Sequence, residues 1–215
     1  MSLPSSWKIS IIGLGSVYAD EVRARGELGV GAQIFDELYR IPEVGRINLV
    51  NRDVEKANLL AQKSKSVRKD GKIVQSYPFS DVEGAISESD VTIISVNASL
   101  NPYSEREQQL LSNKGLIENL AHAHKDANFK GTTIVVTNPT DENAYLFASV
   151  TQKPFNVVGM NHLDGVRFHD AVRKVFDSTA LGLDLKGVEF NTPVIGPHRE
   201  DLLVPIVSSI SSLRD

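Results

Sequence analysis

Lys8-Ile9-Ser10-Ile11-Ile12-Gly13-Leu14-Gly15-Ser16 is an apolar, β-branched run that passes directly into a glycine turn. The apolar residues predict a buried strand, and Gly13 and Gly15 let the chain reverse tightly where a side chain would obstruct it. A strand, a glycine turn and a following helix bring backbone N–H groups up to a phosphate at the helix N-terminus, so the stretch reads as a nucleotide-binding turn. A second glycine cluster, Gly29-Val30-Gly31, opens the amphipathic run Ala32-Gln33-Ile34-Phe35-Asp36-Glu37-Leu38-Tyr39. From Gly13 to the end of the next strand at Asn51 the chain nearly doubles the roughly 20 residues that usually separate such a turn from the residue reading the ribose. Residues 17–28 are therefore expected to be an excursion between the two halves of one phosphate loop. The other reading is a longer first helix from Ser16, broken near residues 26–31.

Outward from this turn, strand-like and helix-like patterns alternate. Residues 46–51, 72–77, 91–96, 132–137 and 156–159 read as strands two to six. Residues 54–69 and 106–125 carry apolar side chains at helical spacing on one face. Such alternation predicts an α/β chain whose parallel sheet is wound doubly, with helices on both faces. We place this domain at residues 1–150 and a partial α+β substrate domain at residues 151–215.

Composition narrows the function. The 215-residue chain has 41% hydrophobic and 23% charged residues, ordinary values for a globular protein, and its apolar runs are too short to span a bilayer. A net charge of −4, with scattered lysines and arginines, disfavours nucleic acid as a partner. Without cysteine there is no disulfide, zinc-thiolate or thiol chemistry, and no metal site is expected. Residues 1–7 show no signal-peptide pattern, so a cytoplasmic protein is the default expectation.

Candidate chemistry lies beyond the strands. At the end of the second strand, an acidic side chain would accept from ribose hydroxyls and repel a 2′-phosphate, whereas a neutral residue followed by a cation accommodates it. This chain has Asn51-Arg52, which tilts the expectation toward NADP over NAD; Asp53 supplies the acid if the register is shifted by two. Thr137-Asn138-Pro139 ends the fifth strand, at the carboxyl edge where ligands of open parallel sheets sit. In Leu163-Asp164-Gly165-Val166-Arg167 the spacing puts Asp164 and Arg167 on one helix face, either as a base-orienting carboxylate and a carboxylate-binding fork or as a surface ion pair. Ile195-Gly196-Pro197-His198 places a proton carrier after a glycine turn. Of the other histidines, His122, His124 and His169 are expected on helix surfaces, and His162 beside Asn161 is ambiguous.

In order, these pieces resemble the lactate and malate dehydrogenase superfamily, and Arg106 ahead of Leu110 and Asn113 resembles its mobile-loop arginine. The resemblance implies a Rossmann-like domain, a nicotinamide cofactor and hydride transfer to or from a small 2-hydroxy or 2-keto acid. It also implies a homo-oligomer and no membrane partner. Carried over residue by residue, it makes His198 the proton acceptor, Asp164 the holder of its tautomer and Arg167 the substrate-carboxylate fork. Arg106 would polarise the carbonyl and Asn138 would hydrogen-bond at the same centre. Gly13, Gly15, Gly31, Asn51, Arg52 and Asn97 would face the cofactor.

The chain also departs from that pattern. Asn97 replaces a glycine, Leu100 stands about where malate dehydrogenases have a second substrate arginine, and Arg199 follows the histidine in place of glycine. Leu100 favours an apolar substrate side chain over a second carboxylate. Family members run roughly another hundred residues past the histidine segment, which leaves a fragment, a shortened relative or a form without catalysis. Two other readings stand beside this one. A non-catalytic dinucleotide-binding relative would account for the departures. An NAD-dependent glycosidase is suggested by Gly15-Ser16-Val17-Tyr18 and Asn161-His162, although its usual cysteine is missing here.

Overall fold

The computed structural model describes residues 6–15, 29–67, 71–98, 105–160, 163–178, 194–195 and 204–205. The chain divides into two compact units, Met1–Gly159 and Met160–Asp215.

In the first unit β1 (Trp7–Ile12) leads to α1 (Val30–Arg40), β2 (Val44–Asn51), α2 (Val54–Val67), β3 (Ile73–Pro78) and α3 (Val82–Ser87). Then come β4 (Val91–Ile94), α4 (Arg106–Asp126), β5 (Thr132–Val135), α5 (Thr140–Thr151) and β6 (Val157–Gly159). The strands form one six-stranded sheet in the order β3-β2-β1-β4-β5-β6, every pair parallel. Winding runs from β1 toward β3 and then from β4 toward β6, so β1 and β4 flank the point where direction reverses. In such sheets ligands bind there, beyond the carboxyl ends of the strands. The doubly wound fold expected from the alternation is the fold observed.

Alternation of strand side chains builds two cores. Ile9, Ile11, Ile47, Leu49 and Ile93 pack with Phe35 and Tyr39 of α1 and Ala57 and Ala61 of α2. On the other face Ile12, Val50, Ile94 and Val135 pack with Ala85 and Ile86 of α3, Ile117 and Leu120 of α4, and Phe147 of α5. Each large apolar side chain buried this way contributes roughly 1.5–3 kcal/mol. Helix α1 stops at Arg40, whose charge suits a helix C-terminus, and Pro42 follows two residues on.

That second core contains a row of polar side chains. Buried Asn48, Ser10, Thr92 and Thr133 stand in register across β2, β1, β4 and β5, and exposed Gln75 continues the row on β3. Ser10 and Asn48 both donate to the Ala85 carbonyl of α3, at 3.0 and 3.2 Å. Arg46 extends the row, donating to Asn48, Gln75 and Glu88. Burial, together with the Glu88 carboxylate to which it donates, raises the Tyr77 hydroxyl above its ordinary pKa. These bonds satisfy groups that would otherwise be costly to bury.

His124 corrects an expectation. It was expected on the surface of its helix, but it is 2% exposed, with its ring edge-on to Phe129 and Phe147 at 5.3 and 4.9 Å between centroids. The reason is periodic: His124 follows Ile117 and Leu120 at seven and four residues, on the stripe that faces the sheet. Strands β4 and β5 also end two residues before the expected limits. The Ile94 carbonyl receives both Val136 N and Thr137 N, at 2.8 and 3.2 Å, and this closes the ladder.

The second unit contains α6 (Leu163–Ser178) and the antiparallel pair β7 (Val194–Ile195) and β8 (Val204–Pro205). Among the described residues no helix is long and apolar enough to cross a membrane.

Candidate functional site

The glycine turn is shaped by contacts that only glycine permits. Gly13 and Gly15 adopt φ of 92° and 81°, in the left-handed region. Gly13 N donates to Val50 O at 2.8 Å, which seats the turn on the end of β2. A Cβ on Gly15 would lie 2.8 Å from Gly29 Cα, and one on Gly31 would overlap the Gly13 carbonyl oxygen and lie 2.9 Å from Leu14 Cα. Residues 13–15 and 29–31 are therefore one junction, tied also by Ala32 N donating to Leu14 O at 3.3 Å. Read across that junction, Gly13-Leu14-Gly15 and Gly29-Val30-Gly31 compose the full glycine spacing of a dinucleotide loop, with Gly31 in the place that lets helix and strand close together. The residues between, 16–28, lie outside the described part.

Helix α1 begins at this junction. Its N-cap, Gly29, makes no side-chain capping bond, and its first turn has no acidic residue. The partial positive charge of a helix N-terminus thus meets no carboxylate from that turn, an arrangement that suits an anion.

From the turn a series of side-chain bonds crosses the carboxyl edge of the sheet. Ser95 Oγ donates to Gly13 O at 2.6 Å, and Asn51 Oδ1 accepts from Leu14 N at 3.3 Å. Asn51 Nδ2 donates to Asp53 O at 3.1 Å, so Asn51 braces the glycine turn and the β2 end together. Asn51 is the last residue of β2, and Asp53 lies two residues beyond it. Arg52 Nη2 reaches the Asn97 carbonyl at 3.1 Å. Asn113, on α4, accepts from Ala98 N at 2.8 Å and donates to Asn138 O at 2.9 Å.

The β5 corner is similarly held. Thr137 Oγ1 donates to Val96 O at 2.8 Å, Asn143 Nδ2 donates to Thr137 O at 3.1 Å, and Thr140 Oγ1 donates to Asn138 Oδ1 at 3.2 Å. The Asn138–Pro139 bond is cis, and the Asn138 side chain is exposed at the edge. Gly13, Gly15, Gly31, Asn51, Arg52, Asn97 and Asn138 are thus brought to one edge of one sheet.

No family model matches the chain. Over 141 residues, 65% of this chain and 44% of the relative, it is 28% identical to the malate dehydrogenase of Shewanella piezotolerans (strain WP3 / JCM 13877). The malate dehydrogenase of Shewanella sediminis (strain HAW-EB3) matches at the same identity and coverage. Over that stretch the chain is similar in sequence to malate dehydrogenases. The fold is shared with the Cryptosporidium parvum lactate dehydrogenase solved with lactic acid and nicotinamide adenine dinucleotide (TM-score 0.75, 24% identity), over 98% of this chain and 60% of that one. The Aeropyrum pernix malate dehydrogenase aligns with TM-score 0.72 and 21% identity over 95% and 60%. The chain spans less than two thirds of the length of each of these proteins.

The remaining expected residues are distributed as follows. Arg106 opens α4 and Asp164 lies in the first turn of α6, while the side chains of both fall outside the described part. Arg167 is exposed on α6, three residues beyond Asp164. His198, Leu100, Arg199, Asn161 and His162 lie outside the described residues.

Sequence reading missed Ser95, Asn113, Thr140 and Asn143 as part of this edge. Asn113 had a legible signal: with Ile117 and Leu120 it falls on the apolar stripe of α4, and an asparagine at such a position must find buried partners.

Proposed function

We propose that this chain binds a nicotinamide dinucleotide along the carboxyl edge of its first sheet and serves hydride transfer to or from a 2-hydroxy or 2-keto acid. The observation that carries the reading is the reassembled glycine junction at the α1 N-terminus. Backbone N–H groups at a glycine turn that meets a helix N-terminus fit a pyrophosphate. In a doubly wound sheet one mononucleotide lies over β1 to β3 and the other over β4 to β6. Asn51 and Arg52 then belong to the adenosine half, and Asn97 and Asn138 to the nicotinamide half.

Arg52 favours NADP(H) over NAD(H). Asn51 is neutral, and its side-chain oxygen already accepts from Leu14 N, so the last residue of β2 sets no carboxylate against a 2′-phosphate. The Arg52 guanidinium has five donors, and the bond to Asn97 O orients it while leaving further donors for a phosphate.

The bound nicotinamide supplies the hydride acceptor or donor. The chain's residues do the rest: His198 takes the hydroxyl proton, Asp164 holds the His198 tautomer, and Arg167 forks onto the substrate carboxylate. Arg106 polarises the carbonyl and Asn138 hydrogen-bonds beside it. Leu100, an apolar residue, favours a substrate with a single carboxylate.

Titrating the full chain with NADPH and NADH, followed by nicotinamide fluorescence and repeated with a panel of 2-keto acids, tests each part. Binding with turnover supports the whole reading, and binding without turnover removes the reaction while retaining the nucleotide. Failure to bind either nucleotide overturns both. Arg52→Ala is expected to lower the NADPH-to-NADH affinity ratio about tenfold or more, from the ~1.5–3 kcal/mol of a hydrogen bond to a charged group. An unchanged ratio removes Arg52 from specificity.

A further inference from the structure

Asn143 is 0% exposed on the face of α5 that also buries Ala144 and Phe147, yet only one end of its amide is used. Its Nδ2 donates to Thr137 O at 3.1 Å, while its buried Oδ1 has no hydrogen-bond partner among the described residues. The assignment of the amide follows from chemistry, since reversing it would set the amide oxygen against the Thr137 carbonyl. A buried acceptor without a donor costs at least as much as a single hydrogen bond returns on balance. Leucine, of nearly the same size and shape, would continue the apolar face without that cost. Stability alone therefore gives no reason for an asparagine at this position.

What the side chain holds is the peptide between Thr137 and Asn138. In a planar trans peptide the C=O and N–H point opposite ways, so a Thr137 carbonyl turned in toward α5 turns the Asn138 N–H out at the exposed β5 corner. That N–H has no acceptor among the described residues. The other groups of the corner are held separately: Asn138 O by Asn113 Nδ2, Asn138 Oδ1 by Thr140 Oγ1, and Pro139 O by the Asn143 backbone N–H. Without the Asn143 amide, the buried Thr137 carbonyl would gain a partner only by rotating its peptide toward water, and the Asn138 N–H would swing with it.

We infer that Asn143 is a positioning residue, kept at the expense of the core because it sets the direction of the Thr137–Asn138 peptide at the carboxyl edge. This rests on the reading above, in which Asn138 hydrogen-bonds at the reacting centre. The two halves of the inference carry opposite signs: removing the amide spares the fold and harms the site.

The test compares Asn143→Leu with the unaltered full chain. Melting is followed by circular dichroism, turnover of a 2-keto acid with NADPH gives kcat and KM, and the Asn138 amide is followed by its nitrogen–proton resonance. Asn143→Leu is expected to melt within about 2 °C of the parent, because the lost bond is offset by removal of the unpartnered oxygen. Its kcat is expected to fall about tenfold with the KM for NADPH within about twofold, and the Asn138 resonance to shift. A melting temperature lowered by about 4 °C or more, with kcat and the Asn138 resonance unchanged, marks a merely structural residue and overturns the inference. An unchanged kcat in a parent-like fold overturns it as well. If Asn143→Leu does not fold, Asn143→Ala, which removes the same amide without adding an apolar side chain, carries the kcat and resonance comparison. Either of these results leaves the dehydrogenase reading standing, because the unaltered chain is active. An unaltered chain that binds NADPH but reduces no 2-keto acid overturns that reading of the reaction, and the inference falls with it.

Discussion

Gly31→Ala is expected to cost upwards of about 4 kcal/mol, enough to unfold much of the population of a marginally stable domain. The methyl would overlap the Gly13 carbonyl oxygen and lie 2.9 Å from Leu14 Cα, both backbone atoms with no rotamer to move into. Ser95 Oγ, 2.8 Å from the new methyl, can rotate only by giving up its bond to Gly13 O. Relief must come from lifting α1 off β1, and that opens the contact of Phe35 and Tyr39 with Ile11 and Leu14. Urea and thermal melts measure the cost, with Gly115→Ala as the control. Gly115 sits exposed inside α4 with nothing within 4 Å of an added Cβ, so alanine there is expected to stabilise by roughly 0.5–1 kcal/mol. A Gly31→Ala melting temperature within about 2 °C of the parent, less than 1 kcal/mol at this chain size, would contradict the close junction.

Acid is expected to weaken the fold from pH 6.5 downward through His124. Burial holds the imidazole pKa down at about 4 against 6.5 unfolded; the Leu120 carbonyl opposes the shift and the nearby Lys153 charge adds to it. Nδ1 faces the Leu120 carbonyl at 2.7 Å, a group that only accepts, so it carries the proton and Nε2 accepts from Thr92 Oγ1 at 2.8 Å. The folded-state pKa is the depressed one, so between pH 6.5 and 4 the unfolded chain binds a proton that the folded chain refuses. The His124 contribution is fully present above pH 6.5, drains as pH falls, and levels off below about 4. The loss over that window is on the order of 3 kcal/mol. Urea unfolding at intervals from pH 7 to 5, above most carboxylate titration, reads the slope. His124→Gln is expected to be less stable at pH 7 and to lose most of that slope; an identical slope in the variant would assign it to other groups.

How legible each part was follows from how local its cause is. The strands and the helices of residues 54–69 and 106–125 announce themselves because burial on one face leaves a short-period pattern in the chain. Their ends did not, since the Ile94 carbonyl that closes the β4–β5 ladder receives two amides from a separate strand, a matter of tertiary geometry. His124 was misplaced for want of weight on its spacing from Ile117 and Leu120, although that spacing was in plain view. The glycines of the turn could be seen, and so could the gap between them, but only the close approach of Gly15 to Gly29 and of Gly31 to Gly13 joins the two pairs. Asn51, singled out for what it lacks, is bonded to the glycine turn, an arrangement that depends on a neighbour 37 residues away. Asn113 and Asn143 act through carbonyls 25 and 6 residues distant, and only the fold reveals such partners.

Because Gly15 and Gly29 abut, the chain between them leaves and returns at nearly one point. An ideal splice site in a folded protein has that geometry: its ends are already together, so the framework is indifferent to what is threaded through them. Each doubling of such a loop adds only about 0.6 kcal/mol of closure entropy. Evolution or a protein engineer can therefore exchange whole cassettes of sequence at this corner of the sheet's carboxyl edge without recutting the sheet. The glycines on both sides are what must be kept.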